Sequence, residues 1–191
     1  MRNECTKPEC VRYLIDSGKV LTVWNPWATL LMLGKDVENR SWKPWKGFRG
    51  PLWIHVAQEQ IDYGVFRKKV SEKVLKAIGE LDTKCNKDFG VSFAKLHKNE
   101  NTGPGLIIGK VTLYNCVEGA ESPWAHRESK YHWIIKEPMI LRHPYRVKGK
   151  RGLWNPPEGL YRHVLKNGFR LGTEEIKLHY WGKKEFDPSL K

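Results

Sequence analysis

The first strongly apolar stretch, KVLTVW (19–24), is rich in β-branched and aromatic side chains and predicts a strand. NPWATLLML follows with the marks of a short helix. Asn25 can cap it, Pro26 suits the first helical position because its missing N–H is not needed there, and Gly34 stops it. DVENRSW alternates in character and predicts a second strand, KPWKGFRGP is turn-rich, and PLWIHVAQ has the apolar content of a buried strand. From Gln60 to Leu81 the period lengthens: Ile61, Val65, Val70, Val74, Ile78 and Leu81 recur every three to five positions, which predicts one amphipathic helix. Arg67, Lys68, Lys69, Lys73 and Lys76 then form its basic outer surface. Residues 82–105 are polar and turn-rich, and predict a long loop with one helical turn. GLIIGKVTLYNCVEG is the strongest strand in the chain, followed by YHWIIKEPMIL and RVKGKRGLWNP, each closed by Pro or Gly.

Strands and helices in this irregular order, without regular βαβ alternation, predict an α+β domain around a mostly antiparallel, closed or nearly closed sheet. Residues 1–18 read as a polar, loosely ordered lead-in, and residues 158–191 as a basic, aromatic C-terminal extension with one or two short helices. No internal repeat or low-complexity tract is apparent.

Composition changes the picture by its charge and its indoles. The 191 residues carry a formal net charge of +13, nine Trp, seven Tyr and six Phe. Such a positive field favours polyanions, and aromatic side chains between cations suit stacked bases beside neutralised phosphates. The start of the chain has no apolar core of a secretory leader, and no apolar run approaches 18 residues, so an intracellular protein outside the membrane is expected. Cys5 and Cys10 make one C-x4-C pair with no second close pair, so neither a metal nor another cofactor is expected.

Taken in order, NPWATLLMLGKDVENRSW, RGPLWIHVA, GLIIGKVTLYNCV, YHWIIKEPMIL and VKGKRGLWNPP resemble the ASCH domain of the PUA-like superfamily. The resemblance runs from about Val20 to Pro157, and Lys35, Glu38 and Arg40 form its Lys-x-x-Glu-x-Arg after a Pro-Trp helix. It implies a domain over residues 19–157, a small β-barrel with flanking helices, a helical insertion at about 60–104 and a basic cleft at the barrel mouth. The family is linked to RNA and to transcriptional coactivation, and some members look like N4-acetylcytidine amidohydrolases or ribonucleases. In the amidohydrolase pattern a threonine stands where Glu38 is, and a glutamate lies on the later strand where Lys110 is. Two of three catalytic positions therefore differ, which weighs against deacylation and favours anion binding.

The residues also speak for themselves. In a strand, Asp36, Glu38 and Arg40 share one face, and Lys35 at the helix–strand junction can swing toward it. Arg40 or Lys35 could hold a phosphate or base carbonyl while Glu38 accepts from an exocyclic amine. Alternatively, Lys35 with a pKa lowered by burial could act as a base, with Glu38 beside it, or all three could be a salt-bridge network pinning strand to helix. Trp24 and Trp27 divide between core and cleft, His55 between core and pocket, and Trp42 and Trp45 between a stacking platform and a packed turn. Asn25, His132 and Trp133 are further cleft candidates, the last as a base-stacking ring. Lys148, Lys150 and Arg151 form a cationic turn whose Gly149 and Gly152 allow close backbone approach to a phosphate. The leading expectation is a nucleic-acid reader, for RNA ahead of DNA or for single strands, possessing a pocket suited to a modified base. The alternatives are a hydrolase on the same cleft using Lys35, and a coactivator-type module binding protein through the basic helix or the C-terminal tail.

Overall fold

The computed structural model describes residues 7–59, 61–89, 93 and 100–170, with the side chains of 84–89 and of Arg170 left aside. The strands are β1 (Lys19–Val23), β2 (Val37–Arg40), β3 (Gly50–Val56), β4 (Leu106–Val117), β5 (Tyr131–Arg146), β6 (Leu153–Trp154) and β7 (Phe169–Arg170). They form one curled mixed sheet in the order β2-β5-β4-β3-β1-β6, with β7 paired to β5. Among the described residues only β1 and β3 pair in parallel, and the other pairs are antiparallel. Register shifts along β4–β5 and β3–β4 mark bulges, which bend a strand and raise its twist. They curl the long strands into a barrel-like half-shell. β5 runs on through Pro138, with Glu137 at φ +52° in the bulge, and ends at Arg146, beyond the segment expected to close after Leu141.

Among the described residues, five α-helices cover this sheet: α1 (Pro8–Asp16), α2 (Trp27–Leu33), α3 (Tyr63–Lys69), α4 (Glu72–Phe89) and α5 (Glu158–Asn167). Short α2 is buried from Ala28 to Leu33, and its last turn stops at Gly34, φ +122°. It fits tightly because a Cβ on Gly109 of β4 would sit 2.7 Å from the Met32 sulfur and 2.4 Å from the Met139 carbonyl. The main core lies inside the curl, where α2, α3 and α4 pack on Leu21, Ile54, Val111, Leu113 and Trp133. A second core lies on the outer face, where α1 and α5 enclose Val20, Trp53, Ile107, Leu141 and Trp154.

Five expectations change. Residues 82–89, expected to begin a long loop, instead continue α4 to Phe89. Residues 8–16, read as a loose lead-in, form α1, whose Val11, Leu14 and Ile15 are buried. The single helix expected over 60–81 breaks at Val70 and Ser71, which turns Phe66 inward and leaves Val65 45% exposed. RVKGKRGLWNP is divided: Arg146 ends β5, Leu153–Trp154 form β6, and residues 147–152 between them form an irregular connection ending on Gly152 at φ +66°. The C-terminal segment joins the fold through α5 and β7, while residues 171–191 lie outside the described residues. No helix among the described residues is long and apolar enough to cross a membrane.

Candidate functional site

The turn after α2 delivers Lys35, and β2 delivers Glu38 and Arg40 two residues apart, on one side of the strand. Lys35 is almost wholly buried; its ammonium donates to the Val37 carbonyl and to Glu38 Oε2 at 2.7 Å. Arg40 Nη2 lies 2.8 Å from Glu38 Oε1, so one buried carboxylate bridges two cations. Burial pushes the Lys35 pKa below the ordinary lysine range, partly opposed by Glu38. Burial alone would raise the Glu38 carboxyl, but Lys35 and Arg40 outweigh it and hold it below the usual carboxylate range. Asp36 lies ahead of the strand and accepts from Ser122 Oγ at 2.7 Å.

This triad borders two cavities at the open side of the half-shell. The larger, about 280 Å³, is lined by Trp27, Lys35, Glu38, Asn39, Phe66, Lys69 and Trp124 among others. It lies near the lower end of the roughly 300–1,000 Å³ typical of small-ligand sites. The smaller, about 210 Å³, is lined by Thr22, Val23, Trp24, Trp27, Glu38, Asn39 and Arg40. Trp27 meets Phe66 edge-on at 4.7 Å, and the Lys35 ammonium sits 5.4 Å from its ring centre. One wall of the larger cavity is formed by α3, the start of α4 and the residues that flank them, with Ile61, Phe66, Lys69, Val70 and Val74. The opposite wall is the 122–129 loop. Asn39 holds it by donating to the Trp124 carbonyl and accepting from the His126 N–H, and Lys73 holds it by donating to the Ser122 carbonyl.

The other expected residues are distributed differently. Asn25 is buried, donating to the Thr102 carbonyl and accepting from Thr29 at the start of α2, so it organises the helix. Trp133 is fully buried, donates to the Trp42 carbonyl and packs edge-on against Trp42 at 4.8 Å; it is core and offers no face to a base. His132 is buried: its Nδ1 accepts from Ala120 N–H, which leaves Nε2 to donate to the His126 carbonyl. It secures the loop behind the cavity. Lys110 pairs in register with Trp53 and Met139, on the outer face away from Lys35. Lys148, Lys150 and Arg151 are exposed, and the Lys150 carbonyl accepts from Thr22 Oγ1, which places their turn beside the strand that lines the smaller cavity. His55 is core: one ring nitrogen meets the Val147 carbonyl, and burial lowers its pKa. Trp45 is 67% exposed, with the Lys46 ammonium 4.6 Å from its ring centre.

Trp124, Asn39 and Lys69 were not singled out from the sequence. Trp124 had a signal: Pro123-Trp124-Ala125 repeats Pro26-Trp27-Ala28, and both tryptophans line the larger cavity. Among the described residues, no three His, Cys, Asp or Glu side chains converge as a metal-ligand set.

No family model matches the chain. Over 158 residues it is 27% identical to Activating signal cointegrator 1 of Homo sapiens, an alignment covering 79% of this chain and 24% of the cointegrator. The chain thus spans about a quarter of that relative's length. This similarity supports an ASCH-like, PUA-like reading of the sequence.

Proposed function

We propose that this protein is a PUA-like reader of single-stranded nucleic acid, RNA ahead of DNA, that takes one unstacked base into the larger cavity. The carrying observation is the meeting of two tryptophans with a buried Lys35–Glu38 pair on a cavity of about 280 Å³. An indole wall suits the face of a base, and a fixed carboxylate beside an ammonium suits its hydrogen-bonding edge. Glu38 accepts from an exocyclic amine, while Lys35, two of whose three N–H donors are used by Val37 and Glu38, offers the third to a neighbouring carbonyl. A cavity of about 280 Å³ suits a single base and not a duplex. Lys148, Lys150, Arg151 and Lys69 then neutralise phosphates along the strand, and the surplus of positive charge steers it in.

Fluorescence anisotropy with labelled single-stranded RNA, single-stranded DNA and duplex at several salt concentrations tests this. Expected are preference for single strands, steep salt dependence, and at least a tenfold loss with Trp27→Ala. Equal binding of duplex, or affinity that stays flat with salt, sinks it.

A catalytic reading is favoured by one observation, the lowered pKa of Lys35 at the cavity edge. It requires a product from RNA or acylated nucleosides that vanishes with Lys35→Met. The similarity to Activating signal cointegrator 1 supports a third role, within a protein assembly, which requires a protein partner retained at high salt.

A further inference from the structure

Trp27, Glu38 and Asn39 line both cavities and so form the partition of a divided cleft. The two chambers differ in chemistry. Lys35 belongs to the larger one, whereas Arg40, Thr22 and Trp24 belong to the smaller. A guanidinium carries five N–H donors in a planar fork. In Arg40 only Nη2 is engaged, at 2.8 Å from Glu38 Oε1 and at a long 3.5 Å from the Thr22 carbonyl. Arg40 Nε is buried without a hydrogen-bond partner. The Arg40 side chain nevertheless keeps 21% of its surface exposed, so its guanidinium has further donors to offer a bound acceptor.

Charge points the same way. Glu38 already faces two cations, and Asp36 is exposed, turned to Ser122 and absent from both linings. The chamber therefore presents an incompletely satisfied guanidinium with no carboxylate to spare. Trp24 stands at the same chamber with 52% of its surface exposed, so a ring face is within reach of whatever adjoins the anion.

We infer that the smaller chamber is a phosphodiester subsite, in which Arg40 takes the phosphate adjoining the base held in the larger chamber, and the next base of the strand stacks on Trp24. This rests on the base-binding reading of the larger chamber and makes the ligand a nucleotide step of a strand instead of a free nucleoside. Arg suits the role because its fork matches a phosphate's paired oxygens, which a lysine ammonium cannot do.

Calorimetric titration tests it with the four ribonucleosides, their 5′- and 3′-monophosphates, and the corresponding dinucleoside monophosphates. The wild-type protein should bind one series of monophosphates at least tenfold more tightly than the nucleosides, and dinucleoside monophosphates more tightly still. In Arg40→Lys, which keeps a cation beside Glu38, the nucleotide-to-nucleoside ratio should fall below about threefold, with thermal unfolding checking that the variant is folded. Trp24→Ala should remove only the dinucleotide gain. Inorganic phosphate should weaken monophosphate binding to the wild-type protein without weakening nucleoside binding, a readout independent of any variant. Nucleosides and monophosphates of equal affinity overturn the subsite and leave the base pocket standing, as does a full ratio surviving in Arg40→Lys. Failure of nucleosides, nucleotides and dinucleotides alike to bind overturns both.

Discussion

The two faces of one sheet are finished in different ways. On the outer face, α1 and α5 close over Trp53, Leu141 and Trp154; the Trp53 indole donates to the Leu14 carbonyl at 3.1 Å and stacks on Phe169. The apolar groups there are covered and the buried indole has its partner. On the inner face the core is equally apolar around Leu113 and Trp133, yet at the open edge it gives way to Lys35, Glu38 and Arg40 beside two cavities. Replacing such a buried ionic group by packed apolar side chains is often neutral or stabilising, so its presence is weak support for a purely stabilising role. The comparison teaches where to look: a sheet able to close one face completely has left the other with charge and space.

The largest effect should come from opening the closed face. Trp53→Ala is expected to cost about 3–5 kcal/mol in chemical denaturation, because it leaves a large cavity in the packed outer core and takes away the indole donor of the Leu14 carbonyl. If the cost is under about 1 kcal/mol, the outer face is not the well-packed structure described here.

Next is the triad. Glu38→Gln removes the charge that compensates buried Lys35 and should cost about 3 kcal/mol near neutral pH. The pH dependence sharpens this. The folded-state pKa of Glu38 is depressed, so its stabilising contribution is fully present above the unfolded value of about 4.3 and is lost as pH falls through the folded value. Denaturation midpoints between pH 5 and pH 2.5 should fall less steeply in Glu38→Gln than in the wild-type protein, and equal slopes would show that Glu38 does not carry the effect.

A smaller effect tests whether the outer side is as satisfied as it looks. His55 is buried, its Nδ1 has no hydrogen-bond partner, and a Cβ on Gly149 would come within 2.4 Å of its ring. Burial lowers its folded pKa, so the folded chain binds fewer protons than the unfolded one in the window below about 6.5. Stability should fall with acidification through that window, by at most about 1.4 kcal/mol per pH unit, and His55→Gln should remove this part of the slope.

The smallest effect on stability, within about 0.5 kcal/mol, belongs to Lys150→Ala on the exposed turn. Its effect should be seen in binding instead: weaker affinity for single-stranded RNA and a salt slope shallower by about 0.7. Wild-type binding and slope in that variant would remove the turn from the interface.

Much of the architecture was legible. The strand at Leu106–Val117 and the stop of α2 at Gly34 follow from local rules that neighbours did not override. The proximity of Lys35, Glu38 and Arg40 was also legible, since a helix end followed at once by a short strand puts them within reach of one another. α1 was missed because its three buried residues become a core stripe only when Trp53 and α5 lie beneath them. Trp133, His132 and Lys110 were assigned to a cleft because aromatic and basic residues on strands look alike from either face. Bulges in β4 and β5 shift the register, and with period two each one-residue shift exchanges the faces.

The order of elements, the excess of cations and the contiguous triad are local or compositional, and the chain by itself determined them. Which tryptophan faces solvent, which histidine is already bonded at both ring nitrogens, and that Trp124, Asn39 and Lys69 stand around Lys35 were decided only by the tertiary structure. These depend on contacts between residues some 30 to 90 positions apart, brought together by sheet curl and loop packing that no short window encodes.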